Sequence, residues 1–247
     1  MLKVAVLGAK GRMGSRVCEA VTNAADMQLV AQLDQGDDIA AGLKASGATH
    51  AVDFTVPTVA QDNTVAVLQA GVHAVVGTTG WDETAYARIR EVAADTGKNA
   101  LIAPNFAISA VLAMKFAALA APYFESVEVI ELHHPDKVDA PSGTAIATAR
   151  GIAAARSRAG REDSPDATET DQWGARGAKI DGVGVHAVRL RGLYASQEVL
   201  LGNAGETLSL RADSLDRASF MPGVLLALRE VDSHPGLTIG IDSLLGL

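Results

Sequence analysis

Residues 131–145, Glu-Leu-His-His-Pro-Asp-Lys-Val-Asp-Ala-Pro-Ser-Gly-Thr-Ala, bring two imidazoles, an ammonium and a helix start together within fifteen positions. The preceding Val127-Glu128-Val129-Ile130-Glu131-Leu132 alternates as a strand does, so His133 and His134 fall at its end, where side chains are presented rather than buried. Lys137 follows in a loop. Pro141-Ser142-Gly143-Thr144 then opens an Ala-rich stretch running to about Arg158, with Ser142 as its N-cap and the amides of Gly143, Thr144 and Ala145 pointing outward. Free amides, a lysine and protonatable histidines together favour a carboxylate or phosphate and can move a proton. A metal is not expected: neighbours on an extended segment point to opposite faces, and no third His or Cys lies at a ligand spacing. Taken one at a time, the histidines are ordinary strand-end residues, Lys137 a solvated charge and Ser142 a cap. Their succession, together with a glycine pattern at the N-terminus, is what favours a site.

That pattern is Gly8-Ala9-Lys10-Gly11-Arg12-Met13-Gly14, placed between the β-rich run Leu2–Leu7 and a helical stretch from Ser15 to Ala25. Strand, glycine turn and helix is the order used for dinucleotides, here spaced G-x-x-G-x-x-G. Gly8 permits the turn, Gly11 lets the backbone approach a pyrophosphate, and Gly14 allows close packing of helix on strand. The next strand, Gln28–Leu33, ends at Asp34, from which a carboxylate can accept ribose hydroxyls. An acid there favours NADH, whereas Lys10 and Arg12 can offset the repulsion of a 2′-phosphate, so either NADH or NADPH is expected.

Further strands and helices must position these residues. Ala51–Phe54 is a strand, Thr58-Val59-Ala60-Gln61 a capping box starting a helix to about Ala70, and His73–Val76 a strand ending in Gly77-Thr78-Thr79-Gly80. Asp82 opens a helix to about Thr96, and Ala100–Ala103 is a fifth strand ending in Pro104-Asn105-Phe106. Strands alternating with helices give a Rossmann-like, doubly wound parallel sheet with its ligand at the carboxyl ends of the strands. After a helix over 108–124 the strand-like runs 127–132, 185–190, 197–202 and 206–211 follow with only one helix among them, which implies a second α+β domain with a mostly antiparallel sheet. Residues 161–184 read as a long loop, mobile or engaged with a neighbouring subunit, and 213–233 as a helical tail that packs back on the first domain. The expected domains are 1–106, rejoined by 214–247, and 107–213.

Composition agrees with an α/β enzyme: 247 residues, 48% hydrophobic, only 4% aromatic and with 24 glycines. A net charge of −8 argues against nucleic acid or an anionic membrane as partner. Cys18 is the single cysteine, so no intramolecular disulfide forms, and its helical position suits a packing residue. No leader-like segment follows Met1 and no apolar run reaches a membrane-spanning length, so a cytoplasmic protein is expected.

The glycine loop, Gly77–Gly80, Ala103–Phe106 and the run from Glu131 to Ala145 together resemble the dihydrodipicolinate reductases, or 4-hydroxy-tetrahydrodipicolinate reductases, of lysine and diaminopimelate biosynthesis. The likeness runs nearly end to end, and the compact length and Asp34 resemble the actinobacterial branch. It implies that 4-hydroxy-tetrahydrodipicolinate is reduced by NADH or NADPH with loss of water. By the same likeness Gly8, Ala9, Lys10, Gly11, Arg12, Met13, Asp34, Gly77, Thr78, Thr79, Ala103, Pro104, Asn105 and Phe106 bind the dinucleotide. His133 is the implied acid/base residue and Lys137 the second proton donor, while His134, Ser142, Gly143 and Thr144 hold the substrate's carboxylates. Arg217 falls where the family carries an arginine near the site, and the family is a homotetramer joined through its central sheets. The alternatives are another two-domain nicotinamide dehydrogenase, separated by product identification, and a dinucleotide-sensing module, which would bind NADH without turnover.

Overall fold

A computed structural model describes residues 1–246. The chain divides into two compact units, Met1–Ala107 together with the chain from Arg217 onward, and Ile108–Asp216.

The first unit begins β1 (Leu2–Leu7), α1 (Gly14–Asn23), β2 (Met27–Leu33), α2 (Ile39–Ser46), β3 (His50–Asp53), α3 (Pro57–Gln69), β4 (His73–Val76), α4 (Glu83–Thr96) and β5 (Ala100–Ile102). Val4 to Leu7 are buried without a break, as a parallel strand covered on both faces demands. Asp38 caps α2 by accepting from the Ala41 N–H, and Asp82 caps α4 by accepting from the Ala85 N–H. The capping box expected at Thr58–Gln61 is not used. Instead α3 starts two residues earlier, on Pro57, after an extended Val56 and without a side-chain cap. Proline suits that position because it has no N–H to satisfy and its φ is already helical, so Thr58 falls inside the first turn.

The amino ends of β3 and β4 carry His50 and His73, whose rings stack at 5.4 Å. His50 is 3% exposed, its Nδ1 meets the Thr49 hydroxyl, and its Nε2 has no partner among the described residues. Burial, and next the charge of His73, pull its pKa from 6.5 to about 4. A depressed histidine pKa means that the unfolded chain binds the extra proton first. The associated stability is therefore complete above about pH 6.5 and is lost as the pH falls toward 4. His50→Leu should flatten the acid limb of urea-unfolding midpoints across that window, by at most about 1.4 kcal/mol per pH unit. Equal slopes in both proteins would show that His50 does not titrate there.

The second unit contains α5 (Ile108–Ala120), β6 (Ser126–His133), α6 (Gly143–Arg158), β7 (Ala178–Ile180), β8 (Val183–Arg189), β9 (Ala195–Asn203) and β10 (Glu206–Ser214). Its sheet has the order β10-β9-β6-β8-β7 and is antiparallel except where β8 lies parallel to β6. A parallel pair needs a long crossover, and the chain between these strands supplies one through α6. Val127, Val129, Val183, Val185, Val199 and Leu201 pack one face of the sheet onto Ala117, Ala145, Ala149 and Ile152. Arg156, 6% exposed, holds the neighbouring turns by donating to the carbonyls of Ala121, Phe124, Glu125 and Glu162. The long loop is shorter than expected, because residues 178–180 form β7. It is also tied down: Arg176 pairs with Glu128 of β6 and with Asp166, while Asp171 accepts from the N–H groups of Ala175 and Arg176.

β10 runs to Ser214, paired with Ala195, so residues up to Asp216 belong to the second unit rather than to a helical tail beginning at 213. A 3₁₀ turn over Arg217–Phe220 then leads into α7 (Met221–Glu230) and β11 (Leu237–Ile239). The first sheet is completed by β11, giving six parallel strands in the order β11-β5-β4-β3-β1-β2. Asn99 anchors this return by donating to the carbonyls of Val231 and Asp232 and accepting from the Gly236 N–H. The strand order reverses between β1 and β3, and the crevice beyond their carboxyl ends is where such sheets take ligands.

Candidate active site

In the second unit, the carboxyl end of β6 meets the start of α6. Glu131, Leu132 and His133 are consecutive strand residues, so Glu131 and His133 share one face. Glu131 is fully buried, and its two oxygens are filled. Oε2 accepts from His133 Nδ1 at 2.6 Å and from Arg189 at 2.8 Å, while Oε1 accepts from Arg189 at 2.8 Å and from the Ser142 N–H at 3.2 Å. Burial alone would push the Glu131 carboxyl up, but hydrogen bonds from Arg189 and then His133, with their charges, outweigh it and hold the group below its ordinary value. An ionised carboxylate only accepts, so Nδ1 of His133 is the donor. Its Nε2 carries the lone pair when the ring is neutral and the labile proton when it is charged. Burial draws the His133 pKa below its ordinary value, opposed by Glu131 and assisted by the charges of Lys137 and Arg189.

Lys137 Nζ donates to Asp139 Oδ1 at 2.6 Å, and the Lys137 N–H closes a turn on the His134 carbonyl. His134 lies against Tyr194 with ring centroids 6.1 Å apart. Ser142 is buried, and its hydroxyl accepts from the Ala145 N–H as the cap of α6. The N–H groups of Gly143 and Thr144, in the first turn, have no acceptor among the described residues. Ammonium, imidazole and helix start therefore lie on one short run of chain, a set of donors matched to carboxylates.

In the first unit the glycine loop turns at Gly8, which has φ +74, and closes with the Gly11 N–H donating to the Gly8 carbonyl at 2.9 Å. A Cβ on Gly14 would lie 2.0 Å from the Gly8 oxygen, so the start of α1 reaches the loop only as glycine. The N–H groups of Arg12 and Met13 have no acceptor among the described residues. Asp34 holds the loop, with Oδ2 accepting from the Lys10 N–H at 2.7 Å and Oδ1 from the Gln35 N–H at 2.9 Å. Those two backbone donors, Gln35 first, keep its carboxyl below the ordinary range, and each oxygen retains a lone pair for a hydroxyl donor. The loop thus fits a dinucleotide: unmet amides, an approach that side chains would block, and a carboxylate at the end of β2.

Gly77 and Thr78 follow β4, and Ala103 to Phe106 follow β5, at the same carboxyl ends. A Cβ on Gly77 would lie 2.1 Å from the Phe54 ring. Thr78 turns inward, its hydroxyl donating to Asp53 Oδ1 at 2.9 Å, whereas Thr79 and Pro104 are exposed. Phe106 is buried against Phe54, and the Asn105 side chain accepts from the Ala107 N–H. Arg217 lies in the 3₁₀ turn ahead of α7.

Three contributors escaped the sequence. Glu131 left a readable signal, a carboxylate two residues before a histidine in a strand. Arg189 left none, because only the parallel register His133↔Arg189 brings β8 beside β6. The third is buried Asp53, which accepts from Thr55, Asn63 and Thr78 and so ties the loops after β3 and β4 together.

The profile of "Dihydrodipicolinate reductase, N-terminus" matches residues 2–106, and that of "Dihydrodipicolinate reductase, C-terminus" residues 109–245. A 4-hydroxy-tetrahydrodipicolinate reductase of Beutenbergia cavernae is 61% identical over 247 residues, covering 100% of this chain and 99% of its own. One from Streptomyces coelicolor is 60% identical, covering 100% and 98%. Among solved structures, a dipicolinate-bound dihydrodipicolinate reductase from a Paenisporosarcina species superposes with a TM-score of 0.90 at 37% identity, over 98% of this chain and 99% of that one. An amine dehydrogenase from Mycobacterium smegmatis reaches a TM-score of 0.62 at 14% identity, over 98% and 95%, and shares the fold. With both halves matched and relatives aligned over their whole lengths, this chain belongs to the dihydrodipicolinate reductase family.

Proposed function

We propose that this chain reduces 4-hydroxy-tetrahydrodipicolinate to tetrahydrodipicolinate, with one equivalent of NADH or NADPH oxidised, one proton taken up and one water lost. The observation that carries the reading is the His133 ring, held at Nδ1 by Glu131 so that Nε2 is the working nitrogen, on the same run as the Lys137 ammonium and the first turn of α6. The nicotinamide, when bound, supplies a hydride to the substrate's conjugated imine. Residues Gly8 to Met13, Asp34, Gly77 to Thr79 and Ala103 to Phe106 hold the dinucleotide on the first unit. Gly143, Thr144 and His134 hold the substrate's carboxylates, and Ser142 supports them by fixing the turn. His133 gives up its proton as negative charge develops on the ring, which a cationic imidazole whose pKa burial draws below its ordinary value does readily. Lys137 compensates the carboxylate charge and serves as second proton donor.

The face of the second sheet opposite its helices carries the half-buried Ile130, Leu132 and Leu200 and the exposed Val188, and supports association of copies into a homotetramer. No described helix is long and apolar enough to cross a membrane. The nicotinamide chemistry and the family's place in amino-acid biosynthesis support a cytoplasmic site of action.

Freshly generated 4-hydroxy-tetrahydrodipicolinate should drive oxidation of both NADH and NADPH, with at most about a tenfold preference for NADH, since the charges near Asp34 and Lys10 are exposed and screened by solvent and salt. Asp34→Asn should shift the kcat/KM ratio toward NADPH. Absence of turnover with either cofactor would overturn the reading, and a preference beyond about a thousandfold would mean that surface charge does not set the choice.

A further inference from the structure

His133 ends β6 while Lys137 lies four residues further on, in the loop before α6, and such a loop does not by itself hold the second proton-handling group in register with the first. One guanidinium reaches both. Arg189, on β8, donates through Nη1 and Nη2 to the two oxygens of Glu131, at 2.8 Å each, and through Nη2 to the Asp139 carbonyl, also at 2.8 Å. Glu131 in turn grips His133 at Nδ1, and Asp139 grips the Lys137 ammonium. The parallel register of β6 and β8 places Arg189 directly beside His133, and the Leu190 N–H donates to the His133 carbonyl at 3.0 Å, so the strut stands on two hydrogen-bonded strands.

We propose that Arg189 is a positioning residue that sets His133 and Lys137 against each other, acting on the imidazole through Glu131 and on the ammonium through Asp139. The inference rests on the reading of His133 and Lys137 as the groups that act on the substrate. A fork is needed for this: the planar guanidinium fills both Glu131 oxygens and still has a hydrogen for the Asp139 carbonyl, which an ammonium on a flexible stem does not match.

The arrangement also governs the proton. The groups facing His133 are Glu131 from its own strand, Lys137 and Asp139 from the following loop, and Arg189 from β8. With Arg189 in place, the Glu131 charge is largely compensated, so the imidazolium is not trapped by a bare buried carboxylate. Removing Arg189 leaves Glu131 to bind the proton on His133 more tightly. Removing the Glu131 charge leaves Arg189 uncompensated beside the ring, with Lys137 still paired to Asp139, and that positive field expels the proton.

The test is a pH titration of ¹⁵N-histidine NMR signals in the full-length chain, with His133 assigned by its substitution, run beside steady-state kinetics. Wild type should show His133 as the Nδ1–H tautomer when neutral. Arg189→Gln should raise the His133 pKa and Glu131→Gln should lower it, two opposite movements that a loss of folded protein does not produce. Both should lower kcat on the order of a hundredfold, the scale of a misplacement of about an ångström. Arg189→Lys, which restores charge without the fork, should return the His133 titration toward wild type while kcat stays low. Where Arg189→Gln fails to fold, because Glu131 is left buried and poorly paired, the double variant Glu131→Gln/Arg189→Gln removes both charges and should place the His133 pKa between those of Glu131→Gln and Arg189→Lys. An unmoved His133 titration, an Nε2–H tautomer in the wild type, or full kcat in Arg189→Lys would overturn the role assigned to Arg189. A wild type inactive on the substrate, with the opposite shifts intact, would instead overturn the reading of the reaction beneath it.

Discussion

Replacement of His133 by Gln should lower kcat by about 10²–10⁴-fold while KM for the dicarboxylate stays within a few-fold of wild type. A general acid acts as charge develops on the substrate, so its loss appears in the transition state and little in the ground state. Gln is the informative substitution because its amide can still donate to Glu131, leaving the buried carboxylate satisfied and the end of β6 in place. What disappears is the transferable proton. Steady-state kinetics of both proteins, with circular dichroism to confirm equal folding, make the comparison, and a wild-type kcat in His133→Gln would remove this residue from proton transfer.

Gly14→Ala is the second large effect, and it strikes the other unit. The added Cβ would sit 2.0 Å from the Gly8 oxygen, 2.7 Å from the Gly8 carbonyl carbon and 2.9 Å from the Ala9 Cα, all of them backbone. No flexible side chain is there to give way, so the loop and α1 must separate, and overpacking of this kind costs about 1–3 kcal/mol or more. Thermal unfolding should shift down, and NADH affinity, read by fluorescence titration, should fall by at least about tenfold. Gly11 gives the contrast, since its Cβ would lie 3.0 Å from the Gly8 oxygen and meet nothing else within 4 Å. Gly11→Ala should therefore keep most of the stability and lose cofactor affinity alone. Equal behaviour of the two variants would mean that Gly14 is not the contact that seats α1.

The features legible in the sequence are those that local chemistry dictates. The unbroken apolar run Val4–Leu7, the glycine loop after it and the helix capped by Asp82 follow from burial on two faces and from unmet N–H groups. The order His133, Lys137, Ser142 likewise sits on one strand end, one loop and one helix start. What escaped depends on partners distant in the chain. β11 is three residues between Gly236 and Gly240, too short to show a period, and it is a strand because β5 offers an edge. The parallel placing of β8 beside β6 is a tertiary choice, and with it came Arg189. Asp53 looks like any strand-end carboxylate until Asn63 and Thr78 are brought to it. The expected capping box at Thr58 lost to Pro57, where one local preference overrode another.

The late arrival of β11 bears on how the protein is made. On the ribosome, residues 108–216 emerge in full before Leu237–Ile239 can reach the first sheet. A first sheet that formed before then would have five strands, with the unpaired amides and carbonyls of Ala100-Leu101-Ile102 at its rim. An open edge of that kind is a template for pairing with another chain, so β11 protects the first sheet as well as completing it. A stop after Glu230 would spare every side chain of both candidate sites and still uncover the edge of β5.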